Sequence, residues 1–457
     1  MLKLVDKIAL GGTCMAKKVV AIVGRPNVGK STLFNVLAGE KISIVKDIPG
    51  VTRDRIYADC KWRDTTFQII DTGGIEPESD DIILKQMRRQ AILAMDIADV
   101  IVFITDVKAG VTASDEEVAT ILRRTNKPVI LACNKCDKIG APPIELYEFY
   151  NLGLGEPLPI SANGRLGIGE LLDEIYYKFE NIESEDYGDE TVKIAIIGKP
   201  NAGKSSLVNK ILGEERVIVS DIAGTTRDAI DTYFENKHGK YVFIDTAGIR
   251  RKNKVCDELE RYSVLKAKAA IDKATVCILL IDATEGVTEQ DEKIAGLAHE
   301  SGKGVIIVIN KWDLIEKETN TMSNYKKQVY EKLAYLSYAP ILFISALTGQ
   351  RIQNLFDVIN EVNRQNDLRV PTGLLNDTLS EAVAITQPPS DKGRRLKIYY
   401  MTQVSTRPPT FVVFVNSKPL MHFSYVRYLE NHLRKKFGFV GTPIHMIIRE
   451  KGQKKEM

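Results

Sequence analysis

The chain has 457 residues, of which 44% are apolar and 27% charged, and its formal net charge is +3. Its length allows roughly three domains of about 150 residues, and its balance is that of a soluble globular protein. Six cysteines argue against a disulfide framework. No apolar run approaches the roughly 18–20 residues of a membrane span. No membrane partner is therefore expected, and the cytoplasm is the expected location.

Taken in chain order, residues 1–15 hold "MLKLVDKIALGGTC" and a second methionine, Met15. They lack a signal peptide's long apolar core and small-residue cleavage site. They are set aside as an upstream start or expression remnant. Residues 16–180 then carry strand-like runs "KVVAIVG", "TFQIID", "DVIVFITD" and "PVILACNK", separated by helical stretches such as "EEVATILRR" and "IGELLDEIYYKF". An acidic linker, "NIESEDYGDE", occupies 181–190. Residues 191–364 repeat the pattern with "VKIAIIG", "KYVFIDT", "TVCILLID" and "GVIIVIN". Nearly continuous apolar runs suit strands buried on both faces, and their alternation with helices predicts an α/β fold around a mostly parallel sheet.

The repeat is a whole domain rather than a solenoid unit. Gly24 and Gly198, Lys30 and Lys204, Thr52 and Thr226, and Asp71 and Asp245 are each 174 positions apart. Asn134 and Asn310 are 176 apart, and Ser161 and Ser345 are 184 apart. Residues 365–457 differ. "SEAVAIT" opens a helix, "RRLKIYYMTQVST" and "TFVVFVNS" read as strands joined at "RPP", "FSYVRYLENHLRKKFG" is an amphipathic helix ending at Gly438, and "PIHMIIRE" is a last strand. This predicts a small α+β domain. From Pro388 onward there are fourteen basic and four acidic residues, leaving 49 basic and 56 acidic before it. A basic tail on a mildly acidic body points to a polyanionic partner.

Two short phrases carry the chemistry. "GRPNVGKS" and "GKPNAGKS" fit the phosphate-binding loop G-x-x-x-x-G-K-[ST], each after a buried strand and before a helix. Gly24 and Gly29, with Gly198 and Gly203, let backbone N–H groups turn toward an anion at a helix N-terminus. Lys30 and Lys204 reach the β- and γ-phosphates, and Ser31 and Ser205 ligate Mg2+. Thr32 and Ser206 follow in the first helical turn. "DTGG" and "DTAG" place Asp71 and Asp245 near Mg2+, with Gly74 and Gly248 offering N–H to the γ-phosphate. Thr52 and Thr226 lie in "PGVTRD" and "AGTTRD", where they complete the Mg2+ shell and, with Lys30 and Lys204, are the candidate catalytic residues. The plain alternative for these threonines is an ordinary turn or cap.

"NKCD" and "NKWD" select the base. Asp137 and Asp313 accept from guanine N1–H and its exocyclic amine, which adenine lacks. Asn134 and Asn310 address the other edge of the base, Lys135 and Lys311 cover its face, and Ser161-Ala162 and Ser345-Ala346 present an alanine N–H toward O6. The nucleotide is thus GTP. Cys133 and Cys136 form a C-x-x-C, but it overlaps "NKCD", and a redox or zinc role is the weaker reading. Where many GTPases carry a water-orienting glutamine, this chain has Ile75 and Ile249. Asn27 and Asn201 are the candidate substitutes, each offering a side-chain carbonyl to a monovalent cation such as K+.

Tandem "G-x-P-N-x-G-K-S" domains, an apolar residue after each "DxxG" and a basic third domain together resemble the Der (EngA) family of bacterial ribosome-assembly GTPases, from about Lys17 to near the C-terminus. The resemblance implies two tandem P-loop GTPase (G) domains and a C-terminal KH-like domain. It implies GTP hydrolysis to GDP and phosphate, coupled to maturation of the large ribosomal subunit, and potassium stimulation. A monomer is expected, with ribosomal RNA rather than DNA as the nucleic-acid partner. One departure is the third domain's sole GXXG string, "GFVG" at 438–441, which follows a helix and precedes a strand, a poor position for an RNA clamp. Basic contacts then fall to Arg394, Arg395, Lys397, Arg434, Lys435 and Lys436, unless these serve a solvated surface or dock on the acidic domains. Two other functions compete. A nucleotide-gated scaffold with negligible turnover fits the two isoleucines but not the intact Mg2+ ligands. A GTP-dependent modifying enzyme would need a second chemical centre, and 365–457 contains no cysteine.

Overall fold

The computed structural model describes residues 17–39, 57–75, 83–138, 143–180, 188, 190–213, 218–219, 231–245, 260–316, 318–391 and 394–451. The first copy opens with β1 (Val19–Val23), buried along its whole length. It continues through α1 (Lys30–Ala38), the hairpin of β2 (Tyr57–Trp62) and β3 (Thr65–Asp71), α2 (Ile83–Ile97) and β4 (Val100–Asp106). α3 (Ala113–Leu122), β5 (Val129–Asn134), the short β6 (Leu158–Pro159) and α4 (Ile168–Glu180) complete it. The sheet order is β2-β3-β1-β4-β5-β6, and every pairing except β2–β3 is parallel.

β1 lies between β3 on one side and β4 on the other, and the chain's progress through the sheet reverses there. The carboxyl end of β1 therefore opens into the crevice where such sheets bind ligands. Each face of the sheet needs its own cover. Met87, Leu93 and Val118 from α2 and α3 pack with Ala21 and Phe103 on one side. Leu33 and Phe34 from α1 and Leu171 from α4 pack with Ile22, Phe67 and Ile104 on the other.

The second copy repeats this with β7 (Val192–Ile197), α5 (Lys204–Leu212), β8 (Ile218–Val219), β9 (Thr232–Asn236), β10 (Gly239–Phe243), α6 (Glu260–Lys273) and β11 (Val276–Asp282). It ends with α7 (Glu289–Glu300), β12 (Gly304–Asn310), α8 (Thr321–Lys332), β13 (Ile341–Phe343) and α9 (Gln353–Asn366). Its order, β13-β12-β11-β7-β10-β9-β8, is the same topology with β8 added at the edge. Even the helix starts are duplicated. Thr112 with Asp115 and Thr288 with Asp291 each form a reciprocal capping box at α3 and α7, satisfying donors that a helix N-terminus otherwise leaves open.

The third segment contains α10 (Thr372–Ile385), the hairpin of β14 (Ser390–Asp391) and β15 (Arg394–Arg395), β16 (Ile398–Ser405), β17 (Thr410–Val415), α11 (Phe423–Phe437) and β18 (His445–Glu450). β16 pairs antiparallel and β18 parallel with the central β17. The predicted strands and helix are present. α10 begins at Thr372, ahead of "SEAVAIT", and α9 runs to Asn366, two residues past the boundary drawn at 364. By compactness the chain forms two units: Ala16–Tyr187 with Asn253–Ala269, and Gly188–Lys252 with Ala270–Met457, so the third segment shares a unit with the second copy.

The string "GFVG" explains that grouping. Gly441 O accepts from Val305 N at 2.7 Å, and Gly441 N donates to Tyr338 O at 2.9 Å. Phe439 is fully buried, and its N–H donates to Gln365 Oε1 at 2.7 Å. The Arg434 guanidinium lies 4.5 Å from the Tyr338 ring centroid. Burial holds His299 down to about 4, a neutral ring with Nδ1 2.8 Å from Tyr338 Oη. The loop is thus docked onto the second copy. Gly441 sits at φ +71 and an added Cβ would come within 2.4 Å of Val362 Cγ2. Gly441→Ala is expected to destabilise this unit by roughly 1–3 kcal/mol, as a leftward shift in urea unfolding of the full chain followed by Trp312 fluorescence in a Trp62→Phe background; an unshifted midpoint would show that the dock is not tight.

Candidate functional site

Each copy folds its G-x-x-x-x-G-K-S phrase around the same buried strut. Asn134 Nδ2 donates to Val28 O at 2.7 Å, while its Oδ1 accepts from Ala162 N at 2.9 Å. Asn310 does the same between Ala202 O and Ala346 N, both at 2.9 Å. Both amides are nearly inaccessible. One side chain therefore ties the loop after β1 to the loop after β6, and its counterpart ties the loop after β7 to the loop after β13. The fit allows no side chain at the facing glycines. Gly29 and Gly203 have φ +102 and +98, and a Cβ there would stand 2.3 Å from Asn134 Nδ2 and 2.2 Å from Asn310 Nδ2. Asn27 and Asn201 also adopt left-handed backbone, φ 65 and 64, at the exposed tips of the two loops.

Lys30 begins α1, and Lys204 begins α5. Lys30 Nζ donates to Gly24 O and Arg25 O at 2.6 and 2.8 Å, and Lys204 Nζ to Gly198 O and Lys199 O at 2.8 and 2.7 Å. Each ammonium is thus folded back across its own loop. Burial lowers Lys30 to about 8 against the pull of Asp71, so an arriving anion would strengthen its charge. Ser31 Oγ donates to Asp71 Oδ2 at 2.8 Å, and Gly73 N donates to Asp71 Oδ1 at 2.9 Å. A hydroxyl and a carboxylate converge here beside an anion-binding helix N-terminus. That oxygen-only set fits Mg2+, which commonly takes one or two protein oxygens and shares the rest of its shell with phosphates and water. Among the described residues no cluster of three or more His, Cys, Asp or Glu offers another metal centre.

The second copy differs at this point. Asp245 has left-handed backbone, φ 58, and its N–H donates to Asp231 Oδ1 at 2.9 Å. Gly74 lies in the single 3-10 turn Thr72–Ile75 after β3. Thr52, Thr226 and Gly248 lie outside the described residues. Thr32 and Ser206 occupy the first turns of α1 and α5 as expected.

At the base-selecting end, Lys135 and Lys311 take positive φ, 69 and 59. Their Nζ atoms reach Asp106 Oδ2 at 2.6 Å and Asp282 Oδ2 at 2.5 Å. Burial would raise the Asp282 carboxyl, but bonds from Lys311 and Thr284 bring it below its usual range. These two anchoring aspartates were not singled out from the sequence. The available signal was their shared place at the ends of "DVIVFITD" and "TVCILLID". Cys133 is buried and Cys136 half-buried, both as free thiols. Burial pushes Cys133 up to about 12 and raises Cys136, so neither is poised as a thiolate.

The two carboxylates expected to select the base are treated differently. Asp137 accepts from Lys108 Nζ at 2.5 Å and from Ser161 Oγ at 2.7 Å, and Lys108 first, then Ser161, holds its carboxyl below the usual range. In the second copy Thr284 stands where Lys108 does, and it bonds Asp282 instead. Asp313 Oδ1 is buried without a hydrogen-bond partner among the described residues. One carboxylate carries a competing cation, and the other holds an open acceptor.

Known proteins match the chain over most of its length. The family model described as "50S ribosome-binding GTPase" matches residues 19–135 and again 193–311. The model described as "KH-domain-like of EngA bacterial GTPase enzymes, C-terminal" matches 369–449. The chain is 63% identical over 437 residues to a protein of Acetivibrio thermocellus named GTPase Der, covering 96% of this chain and 99% of that one. It is 61% identical over 438 residues to the GTPase Der of Ruminiclostridium cellulolyticum, with the same coverage. Among solved structures it is similar to Era of Aquifex aeolicus bound to GDP.AlF4-, at 23% identity and a TM-score of 0.29, over 57% of this chain and 93% of that one.

The Lys108 contact yields a direct expectation. In an Asp313→Asn background that disables base selection at the second site, Lys108→Thr is expected to tighten GDP binding at the first site about two- to fivefold, as suits an exposed ion pair. Titration with a fluorescent GDP analogue reads this out, and an unchanged or weakened affinity would show that Lys108 does not compete for Asp137.

Proposed function

The chain belongs to the GTPase Der family and hydrolyses GTP, and from that premise we propose that it is a switch in maturation of the large ribosomal subunit, with the subunit and its rRNA as partner. The observation that carries this reading is the doubling of one complete nucleotide cradle beside a third domain rich in Lys and Arg. Two cradles allow two GTP-dependent inputs, and the basic domain supplies attraction for a polyanion. The protein acts in this reading as a cytoplasmic monomer. Among the described residues no helix is long and apolar enough to cross a membrane.

Lys30 and Lys204 would leave their loop carbonyls and meet the β- and γ-phosphates. Ser31, Thr52 and Asp71, with Ser205, Thr226 and Asp245, would hold Mg2+, which supplies neutralising charge at the phosphate oxygens. The N–H groups of Gly74 and Gly248 would report the γ-phosphate to their loops, so that GTP and GDP favour different loop arrangements. Asp137 and Asp313 would take the guanine N1–H and amine, with Lys135 and Lys311 covering the ring face. The Ala162 and Ala346 N–H groups are engaged by the asparagine struts, so a bond to guanine O6 would be shared with them. The switch works because the loops' contacts differ between the two nucleotide states. Sedimentation with ribosomal particles tests this: co-migration with the large subunit under a non-hydrolysable GTP analogue and its loss under GDP are expected, and no co-migration in any nucleotide state would sink the reading.

Hydrolysis needs charge or orientation that Ile75 and Ile249 do not supply. Asn27 and Asn201 put side-chain carbonyls at the exposed tips of the phosphate loops, where K+ would add positive charge next to the phosphates. Turnover is then expected to be faster in KCl than in NaCl, with the difference lost in Asn27→Ala, Asn201→Ala. Equal rates in the two salts for the unmodified protein would discard the potassium role.

A further inference from the structure

The basic residues of the third domain fall into two groups. Arg434 is committed internally, to Glu430 at 2.9 Å and to the carbonyls of Phe439 and Thr442 at 2.7 and 2.8 Å. Lys436 pairs with Glu381 at 3.0 Å. Arg394, Arg395 and Lys397 instead gather at one end of the three-stranded sheet. Asn416 fixes them there: its Nδ2 donates to Arg395 O at 3.0 Å, and its Oδ1 accepts from Lys397 N at 2.8 Å. Lys451 joins the same end, its N–H donating to Val415 O at 3.0 Å.

Aromatic rings stand among these cations. Tyr399 falls at the register shift between Ile398 and Tyr400. Its ring centroid is 5.7 Å from Lys397 Nζ and 4.8 Å from Lys451 Nζ. Tyr400 stacks on Phe414 with centroids 4.4 Å apart and planes 15° apart. Phe414 is in turn in register with Arg449 of β18. Tyr399 and Tyr400 are 39% and 42% exposed. Among the described residues none of Arg394, Arg395, Lys397, Arg449 and Lys451 forms an ion pair. The carboxylates at this end are Asp391 and Glu450, and Glu450 already accepts from Lys418 N at 2.6 Å.

Exposed rings bordered by unpaired cations match one kind of ligand well. Unpaired bases stack on ring faces while the phosphates between them meet the charges. A duplex keeps its bases in its own stack and has no use for the rings. An acidic protein would use the cations but leave the rings wet. We infer that this end of the sheet binds a single-stranded stretch of RNA, stacking bases on Tyr399 and Tyr400 and holding phosphates with Arg394, Arg395, Lys397, Arg449 and Lys451. The inference rests on the reading of rRNA as the partner, and it moves the contact away from the "GFVG" loop.

The test uses the full chain and fluorescence anisotropy with a short unstructured RNA, the matching RNA duplex and a glutamate-rich peptide as competitor. Tighter binding of the single strand is expected. Tyr399→Ala and Tyr400→Ala are each expected to weaken it roughly 5- to 100-fold, with Tyr400→Phe close to the unmodified protein. Lys397→Ala with Lys451→Ala should lower the slope of log affinity against log salt by about 1–2. Lys435→Ala should change little. Duplex bound as tightly as single strand, with the alanine variants unaffected, would overturn the surface, as would displacement of the RNA by the peptide alone. Sedimentation of the same variants with ribosomal particles separates the two readings. If the unmodified protein ignores the particles but binds single strands through Tyr400, the ribosomal role fails and this surface stands. If particles bind and the tyrosine variants behave normally in both assays, this surface alone fails.

Discussion

The two cradles depend on one buried amide each. Asn134 and Asn310 spend both ends of their side chains joining the phosphate loop to the base-selecting loop. A buried amide left half-bonded is costly, so the satisfied arrangement is strongly preferred over alternatives that break either end. The glycine opposite each amide follows from it, because no side chain fits there. So does the register of the two loops, which brings a site for phosphates and a site for a base to a fixed separation. A catalytic apparatus that binds a long polyanion at one end and a planar ring at the other needs that separation held before the ligand arrives.

Much of this was legible in the order of residues. Apolar runs that end in Gly, Asp or Asn marked the strands and placed their polar ends on one rim. The doubled phrase marked the phosphate loops, because few other backbones let N–H groups converge on an anion. Contacts made across loops were not legible. Nothing local tells that Lys108 reaches Asp137, since the two are joined only when β4 and β5 lie side by side. The string at 438–441 read as a nucleic-acid motif out of place, and its role emerged only from its partners on the second copy. The same holds for the basic residues of the third domain. Composition counted them, but only tertiary placement divided Arg434, locked against Tyr338, from Lys397, set beside Tyr399.

The duplication also shows how two sites built alike come to differ. Strands, caps, struts and lysine anchors repeat almost bond for bond. The differences lie at strand ends and in the loops beyond them: Lys108 against Thr284, and the backbone of Asp71 against that of Asp245. A rigid scaffold retains its geometry while its rim residues vary, which is how one fold supplies sites of different affinity.

The hydrogen bond from Val305 to Gly441 has a consequence for how the protein is made. Val305 is the second residue of β12, the strand that ends in Asn310. On the ribosome, the first unit is completed once Asn253–Ala269 has also emerged. The second copy emerges with the start of β12 uncapped and with Tyr338 O and Gln365 Oε1 open, and stays so until the chain has grown to Gly441. Domains that fold as units during synthesis usually close one after another. Here the last two close together, and a ribosome stalled short of that glycine would hold a second copy whose dock for the third domain is still open.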